Sequence, residues 1–139
     1  MIDRDKVRDK ISFLRRNLEL LRELAKTPAQ DFTESSAQFH AAVRLLQISI
    51  EAMIDISSHI VSRECLGVPK SYIEVFDLLA RSGIIPSEFL DRVRPMVRFR
   101  NRAVHVYGEI DPNHVHEILQ NDLGDFETFI SLIVKHCFT

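Results

Sequence analysis

The sequence predicts an all-α fold, an up-and-down bundle of four long helices with one additional short helix. Three observations lead there. Apolar residues recur at alternating steps of four and three through most of the chain, the period of a helix with one buried face. No segment alternates apolar and polar residues in the two-residue rhythm of a strand, and there is no internal repeat, linker or low-complexity stretch. With 45% hydrophobic residues but only four glycines and five prolines in 139 residues, the chain can fill a substantial core and has few helix breakers. One domain over residues 1–139 is the expectation.

The first helix starts with Asp3 as its cap, and Val7, Ile11, Leu14, Leu18, Leu21 and Ala25 form its stripe. Arg8, Arg15, Arg16 and Arg22 lie elsewhere around it as a solvated face, and Thr27-Pro28 ends it. The second helix begins after Thr33 or Ser35 and runs to about Ser62, with Ser35 and Gln38 spaced as a capping box. Phe39, Leu46, Met53 and Ile60 repeat every seven residues, while Leu45, Ile48, Ala52 and Ile56 add a second apolar face. A helix this apolar is either central in its bundle or partly buried against another subunit. Its remaining polar strip includes Gln47, Glu51, Asp55 and Ser58. Glu51 and Asp55 stand one turn apart, able to orient an arginine or histidine of another helix or simply to face solvent.

Gly67 and Pro69 mark a loop, after which Ser71 and Glu74 form a capping box for a short helix that ends at Gly83. Pro86 suits the first turn of the fourth helix, and Pro95 inside it predicts a kink or a short break. Gly108 is the stop signal. Asp111-Pro112 opens a last helix that carries Val115, Ile118, Leu119, Phe126, Phe129, Ile130, Ile133 and Cys137, weakened but not broken by Gly124.

Composition narrows the function classes. A formal charge of −2 makes no global case for nucleic-acid binding, so any such site must be a local patch. Two cysteines, Cys65 and Cys137, form no disulfide framework and suit free thiols in a reducing cytoplasm. The charged start lacks the apolar core of a signal peptide, and no run reaches the roughly 20 apolar residues of a membrane span. His114 and His116 sit two apart and face different ways on a helix; His40, His59 and His136 are isolated. No zinc-type grouping, glycine-rich phosphate loop or dinucleotide fingerprint is present, so the expectation is no metal and no cofactor.

One stretch concentrates chemistry: Arg98-Phe99-Arg100-Asn101-Arg102-Ala103-Val104-His105-Val106-Tyr107. Arginine keeps its charge at any working pH and offers a planar fork for two phosphate oxygens. Histidine exchanges a proton near neutrality. Together they are a minimal kit for breaking a phosphodiester without a metal, one group moving protons while the other steadies charge on the phosphorus oxygens. Arg100 and His105 are the candidate pair, with Asn101 placed to support them. Arg94, Arg98 and Arg102 repeat at steps of four and offer a track for an RNA backbone, or a solvated basic face. On a straight helix Arg100 and His105 point about 140° apart, so they converge only if the helix unwinds near His105 or if two copies of the motif meet across a dimer axis. A non-catalytic docking partner of a nucleotidyltransferase and a purely structural dimerisation module are the rival readings.

Arg100, four residues, His105, one residue, Tyr107 resembles the R-x4-H-x-Y signature of the HepT family, a branch of the HEPN ribonucleases. Phe99-Arg100-Asn101, Ile110-Asp111, Gly67-Val68-Pro69-Lys70-Ser71-Tyr72, Ser82-Gly83-Ile84-Ile85 and Ile50 to Ile56 extend the likeness over nearly the whole chain. The resemblance implies a HEPN-like helical bundle and a metal-independent endoribonuclease toxin, with tRNA as target. It also implies a homodimer whose two motifs line one cleft. Tyr107 would then accept AMP from a nucleotidyltransferase antitoxin of the MntA type, which silences the toxin by placing a bulky anion beside the catalytic pair. The bland alternative for Tyr107 is a half-buried tyrosine with a bonded hydroxyl.

Overall fold

The computed structural model describes residues 1–139 and contains six α-helices and no strand. The first, α1 (Arg4–Leu24), starts where expected, the Asp3 carboxylate accepting from the Lys6 amide at 3.1 Å. A 3₁₀ turn at Ala29–Asp31 leads to α2 (Ala37–Arg63). Its cap is Ser36, not Ser35: the Ser36 hydroxyl accepts from the Phe39 amide at 3.1 Å and donates to the Thr33 carbonyl at 2.9 Å. Either serine is a good cap by type. The later start places Phe39 in the core, edge-on to Phe32 with ring centroids 5.9 Å apart.

α2 is the centre of the molecule. It packs against α1 on one side and against α3 (Tyr72–Arg81), α4 (Leu90–His105) and α5 (Pro112–Asn121) on others. Ala52 and Ile56 of its second apolar face are therefore buried within the chain. Leu45 and Ile48 of the same face stay partly exposed, so intramolecular packing meets the two-faced pattern only in part.

Ser71 caps α3 as expected, its hydroxyl accepting from the Glu74 amide at 3.2 Å, although the Glu74 carboxylate does not return a bond to complete the box. Gly83, at φ +78°, reverses the chain after α3; the Gly83 amide donates to the Ala80 carbonyl and the Ile84 amide to the Leu79 carbonyl, both at 3.0 Å. That turn delivers Ile84 and Ile85 to the core. Pro86 stands one step further out than expected, ahead of a 3₁₀ turn at Ser87–Phe89 that runs into α4.

Of the kink or short break expected at Pro95, the break is absent: α4 runs on through the proline, which lies on the exposed side, where solvent can satisfy the carbonyl left without an amide partner. One sequence expectation fails outright. The last helix is in fact two, α5 and α6 (Gly124–Phe138). Asn121 and Asp122 are poor helix formers and Gly124 follows after one intervening residue, so three weak positions within four residues end α5 where one would not. The break lets α5 pack on α1 and α2 while α6 turns to lie along α1.

All six helices share one contiguous core of 36 buried residues, from Val7 to Cys137. No helix is long and apolar enough to cross a membrane.

Candidate active site

Arg100 is held from three sides. Its Nε donates to Glu51 Oε2 on α2 at 3.0 Å, and its Nη1 to Asn101 Oδ1 at 3.2 Å. Its guanidinium carbon stands 5.1 Å from the centre of the Tyr72 ring at the start of α3. Gln47, one turn before Glu51, donates to the same carboxylate oxygen at 3.2 Å. The arginine side chain is only 16% exposed, so its charge sits where screening by water is reduced. Locking Nε and Nη1 leaves Nη2 and the open face of the fork for an anion. Three helices cooperate: α2 supplies the carboxylate, α4 the arginine and the amide, and the cap at Ser71 fixes where α3 presents its aromatic ring.

His105 is the last residue of α4, and Val106, at φ −136° and ψ 47°, turns the chain out of the helix. Arg100, Asn101, Val104 and His105 border one open groove with Ser58 of α2 and with Lys70, Ser71 and Tyr72 from the loop and helix opposite. Arg100 and His105 thus line the same groove within one chain. His105 is exposed and its ring is tied to no protein group, free to meet a substrate. Lys70 adds a cation that the reading of the sequence did not single out.

The other expected site residues divide. Asn101 and Glu51 support Arg100 directly. Asp55 does not: it reaches away to Lys10 of α1 at 3.2 Å, one helical turn too far along α2 to share Glu51's partner. Arg94 is also taken, its Nη2 3.2 Å from Asp77 of α3 and its Nη1 3.9 Å from Asp91. It staples α4 to α3 and is no part of a free basic track. Arg98 and Arg102 remain exposed.

Tyr107 follows α4 in a 3₁₀ turn, Tyr107–Glu109, and is 38% exposed. Its hydroxyl lies 2.6 Å from Nδ1 of His40, and the two rings stack with planes 9° apart. Burial of the phenol raises its pKa above the ordinary value of 10.0, so the hydroxyl carries its proton at neutral pH. His40 looked isolated in the sequence. It is 67 positions from Tyr107, and no spacing rule could have paired them. Nowhere do three or more His, Cys, Asp or Glu side chains gather in a group able to hold a metal ion.

Comparison with known proteins gives the chain its family. The family described as Ribonuclease HepT-like matches residues 14–133. An "mRNA nuclease HepT" of Shewanella oneidensis is 33% identical over 93% of this chain and 96% of that protein. A "tRNA nuclease HepT" of Aphanizomenon flos-aquae is 29% identical over 96% of this chain and 90% of its own. A solved structure of a tri-AMPylated Shewanella oneidensis HEPN toxin in complex with MNT antitoxin superposes with a TM-score of 0.86 at 32% identity, covering 97% of this chain and 99% of that one. A helical bundle that matches this family and superposes on a HEPN toxin is a ribonuclease of the HEPN class. The chain belongs to the HepT-like ribonuclease family, and its enzymatic class is endoribonuclease.

Proposed function

We propose that this chain is the toxin of a toxin–antitoxin pair, a one-domain cytoplasmic endoribonuclease that cuts RNA through Arg100 and His105. A nucleotidyltransferase antitoxin of the MntA type silences it by moving AMP onto Tyr107. The observation that carries the reading is the Arg100 guanidinium, fixed by Glu51 and Asn101 and open on one side to the groove that His105 borders. In cleavage, the ribose 2′-hydroxyl attacks the neighbouring phosphorus and the 5′-oxygen leaves. Arg100 binds the phosphate and offsets charge growing on its oxygens. His105 moves the proton. One groove holds one such histidine, whereas attack needs a base and departure needs an acid. A homodimer that brings two motifs together supplies both. Val104 and Val106, each 41% exposed, flank His105 as the apolar surface such a pairing would cover.

Arg98 and Arg102 extend the cationic surface along α4 for the RNA backbone. The two curated relatives divide between mRNA and tRNA, and RNA is the shared substrate class; tRNA remains the first to try. AMP on Tyr107 would set an anion two residues from His105, repelling RNA phosphates from the groove.

The test incubates purified chain with total tRNA, and separately with mRNA, in EDTA. Discrete cuts are expected from the intact chain and none from Arg100→Ala or His105→Ala. With the antitoxin and ATP, the mass of an AMP should appear on the wild-type chain and not on Tyr107→Phe. An intact, unmodified chain that cuts nothing, yet binds the antitoxin equally well after Arg100→Ala, would sink the nuclease assignment in favour of a docking role.

A further inference from the structure

We infer that His40 is the proton acceptor that prepares Tyr107 for nucleotide transfer, an inference that rests on the reading of Tyr107 as the AMP acceptor. The geometry assigns the protons. Nε2 of His40 lies 2.7 Å from the Glu34 carbonyl oxygen. A carbonyl can only accept, so Nε2 bears the hydrogen and donates. A neutral imidazole then carries its lone pair on Nδ1, and the Tyr107 hydroxyl, 2.6 Å away, must donate to it. The phenol is thus already hydrogen-bonded through its proton to an imidazole nitrogen able to accept it, with its oxygen lone pairs turned outward.

The arrangement is held in place. His40 lies in the first turn of α2, which the Ser36 cap anchors, and its ring meets that of Phe39 edge-on at 5.0 Å. Its stacking on Tyr107, with ring centroids 5.8 Å apart, fixes the hydroxyl relative to Nδ1. Both rings border solvent, where the active site of a nucleotidyltransferase can reach them.

The step balances as follows. Tyr107 Oη forms a bond to the α-phosphorus of a nucleoside triphosphate, ATP. The bond from that phosphorus to the bridging oxygen breaks, and pyrophosphate leaves with its electron pair. The phenolic proton passes to His40 Nδ1. The resulting imidazolium still donates through Nε2 to the Glu34 carbonyl, which steadies its charge.

The experiment uses the full chain, its nucleotidyltransferase partner and magnesium ATP, and follows AMP incorporation on Tyr107. His40→Asn places an amide oxygen near the position of Nδ1; it can accept a hydrogen bond but not a proton. His40→Ala removes both capacities. The expectation is a kcat for transfer lowered about 10²-fold in both variants, with KM for ATP little changed. Unmodified His40→Asn should still cut RNA, which verifies its fold. Transfer by His40→Asn at the wild-type rate would reduce His40 to a hydrogen-bonding prop and overturn the inference, as would wild-type rates in both variants. If the wild-type chain takes no AMP on Tyr107, the reading beneath fails and the inference falls with it.

Discussion

Glu51 Oε2 and Arg100 Nε, from residues 49 positions apart, lie 3.0 Å from one another and join the middle of the central helix to the helix that carries the proposed catalytic pair. The carboxylate is itself braced by Gln47, so the arginine is aimed by a chain of polar contacts that begins in α2. Removing the carboxylate should therefore leave a positive charge in place but let it swing. Glu51→Ala is expected to lower RNA cleavage about 10–100-fold, and to destabilise the fold by about 1–3 kcal/mol through the unpaired, half-buried guanidinium. Single-turnover cleavage and chemical denaturation measure the two effects separately. Arg100→Lys should not rescue, because an ammonium cannot bond Glu51, Asn101 and a phosphate in one plane. Wild-type cleavage by Glu51→Ala would show that the contact does not aim the arginine.

Asp55 and Arg94 make the opposite case. The Lys10–Asp55 pair is largely solvent-exposed, and such pairs contribute little. Asp55→Asn should shift stability by no more than about 0.5 kcal/mol and leave RNA cleavage unchanged. A tenfold loss of cleavage in Asp55→Asn would contradict its placement outside the site.

His59 makes stability depend on pH. Its Nε2 accepts from the Asp3 amide at 3.0 Å, which ties the start of α1 to α2 and requires the neutral ring. Burial, then the nearby Lys6 and Arg63 charges, lower its pKa below the ordinary 6.5. A pKa lower in the folded than in the unfolded state means that the unfolded chain binds the proton first as pH falls. The contribution is complete above 6.5 and is lost between 6.5 and the lowered folded value. Melting temperature should fall on acidification through this window, and less steeply for His59→Gln, which cannot titrate. Identical slopes for the two chains would assign the acid sensitivity elsewhere.

Ser57 on α2 has a fully buried hydroxyl with no hydrogen-bond partner, whereas nearby Ser49 accepts from Asn17 of α1 at 3.1 Å. Deleting an unpaired polar atom removes only its desolvation cost. Ser57→Ala should be neutral or stabilising by up to about 1 kcal/mol, while Ser49→Ala, which strands the Asn17 amide, should cost about 1–3 kcal/mol. Urea denaturation of the two variants side by side is the measurement, and the prediction fails if their order is reversed.

Gly67 adopts φ +148°, and a Cβ there would come within 2.9 Å of the Leu78 side chain. The loop it begins carries Lys70 and the Ser71 cap to the groove. Gly67→Ala should cost about 1–3 kcal/mol from backbone strain and should also weaken RNA cleavage by displacing Tyr72 from Arg100. A variant as stable and as active as the parent would show that the loop is free to relax.

Much of this architecture is local and so legible in the sequence. The caps at Asp3 and Ser71, the reversal at Gly83 and the stripes of all the long helices follow from side chains a few positions apart, acting through the helical period. The motif is likewise visible as three residues on one short segment, and Asn101 beside it and Glu51 in the polar strip of α2 stand out by residue type. The misjudged points are those where two local signals compete. Ser35 and Ser36 are equal as caps until Phe39 chooses between them. Pro95 breaks nothing when its side of the helix meets water, and Gly124 matters because Asn121 and Asp122 precede it.

What only the tertiary structure decided is which polar groups meet. Glu51 turns to Arg100 while Asp55, four residues on, turns to Lys10; Arg94 is spent on Asp77; His40 finds Tyr107 across the end of the bundle. Hydrophobic periodicity fixes which face of each helix goes inward, because burial is roughly proportional to area and indifferent to partner. Hydrogen bonds and ion pairs depend on angstrom-scale distance and direction, and those are set by how the helices cross and end.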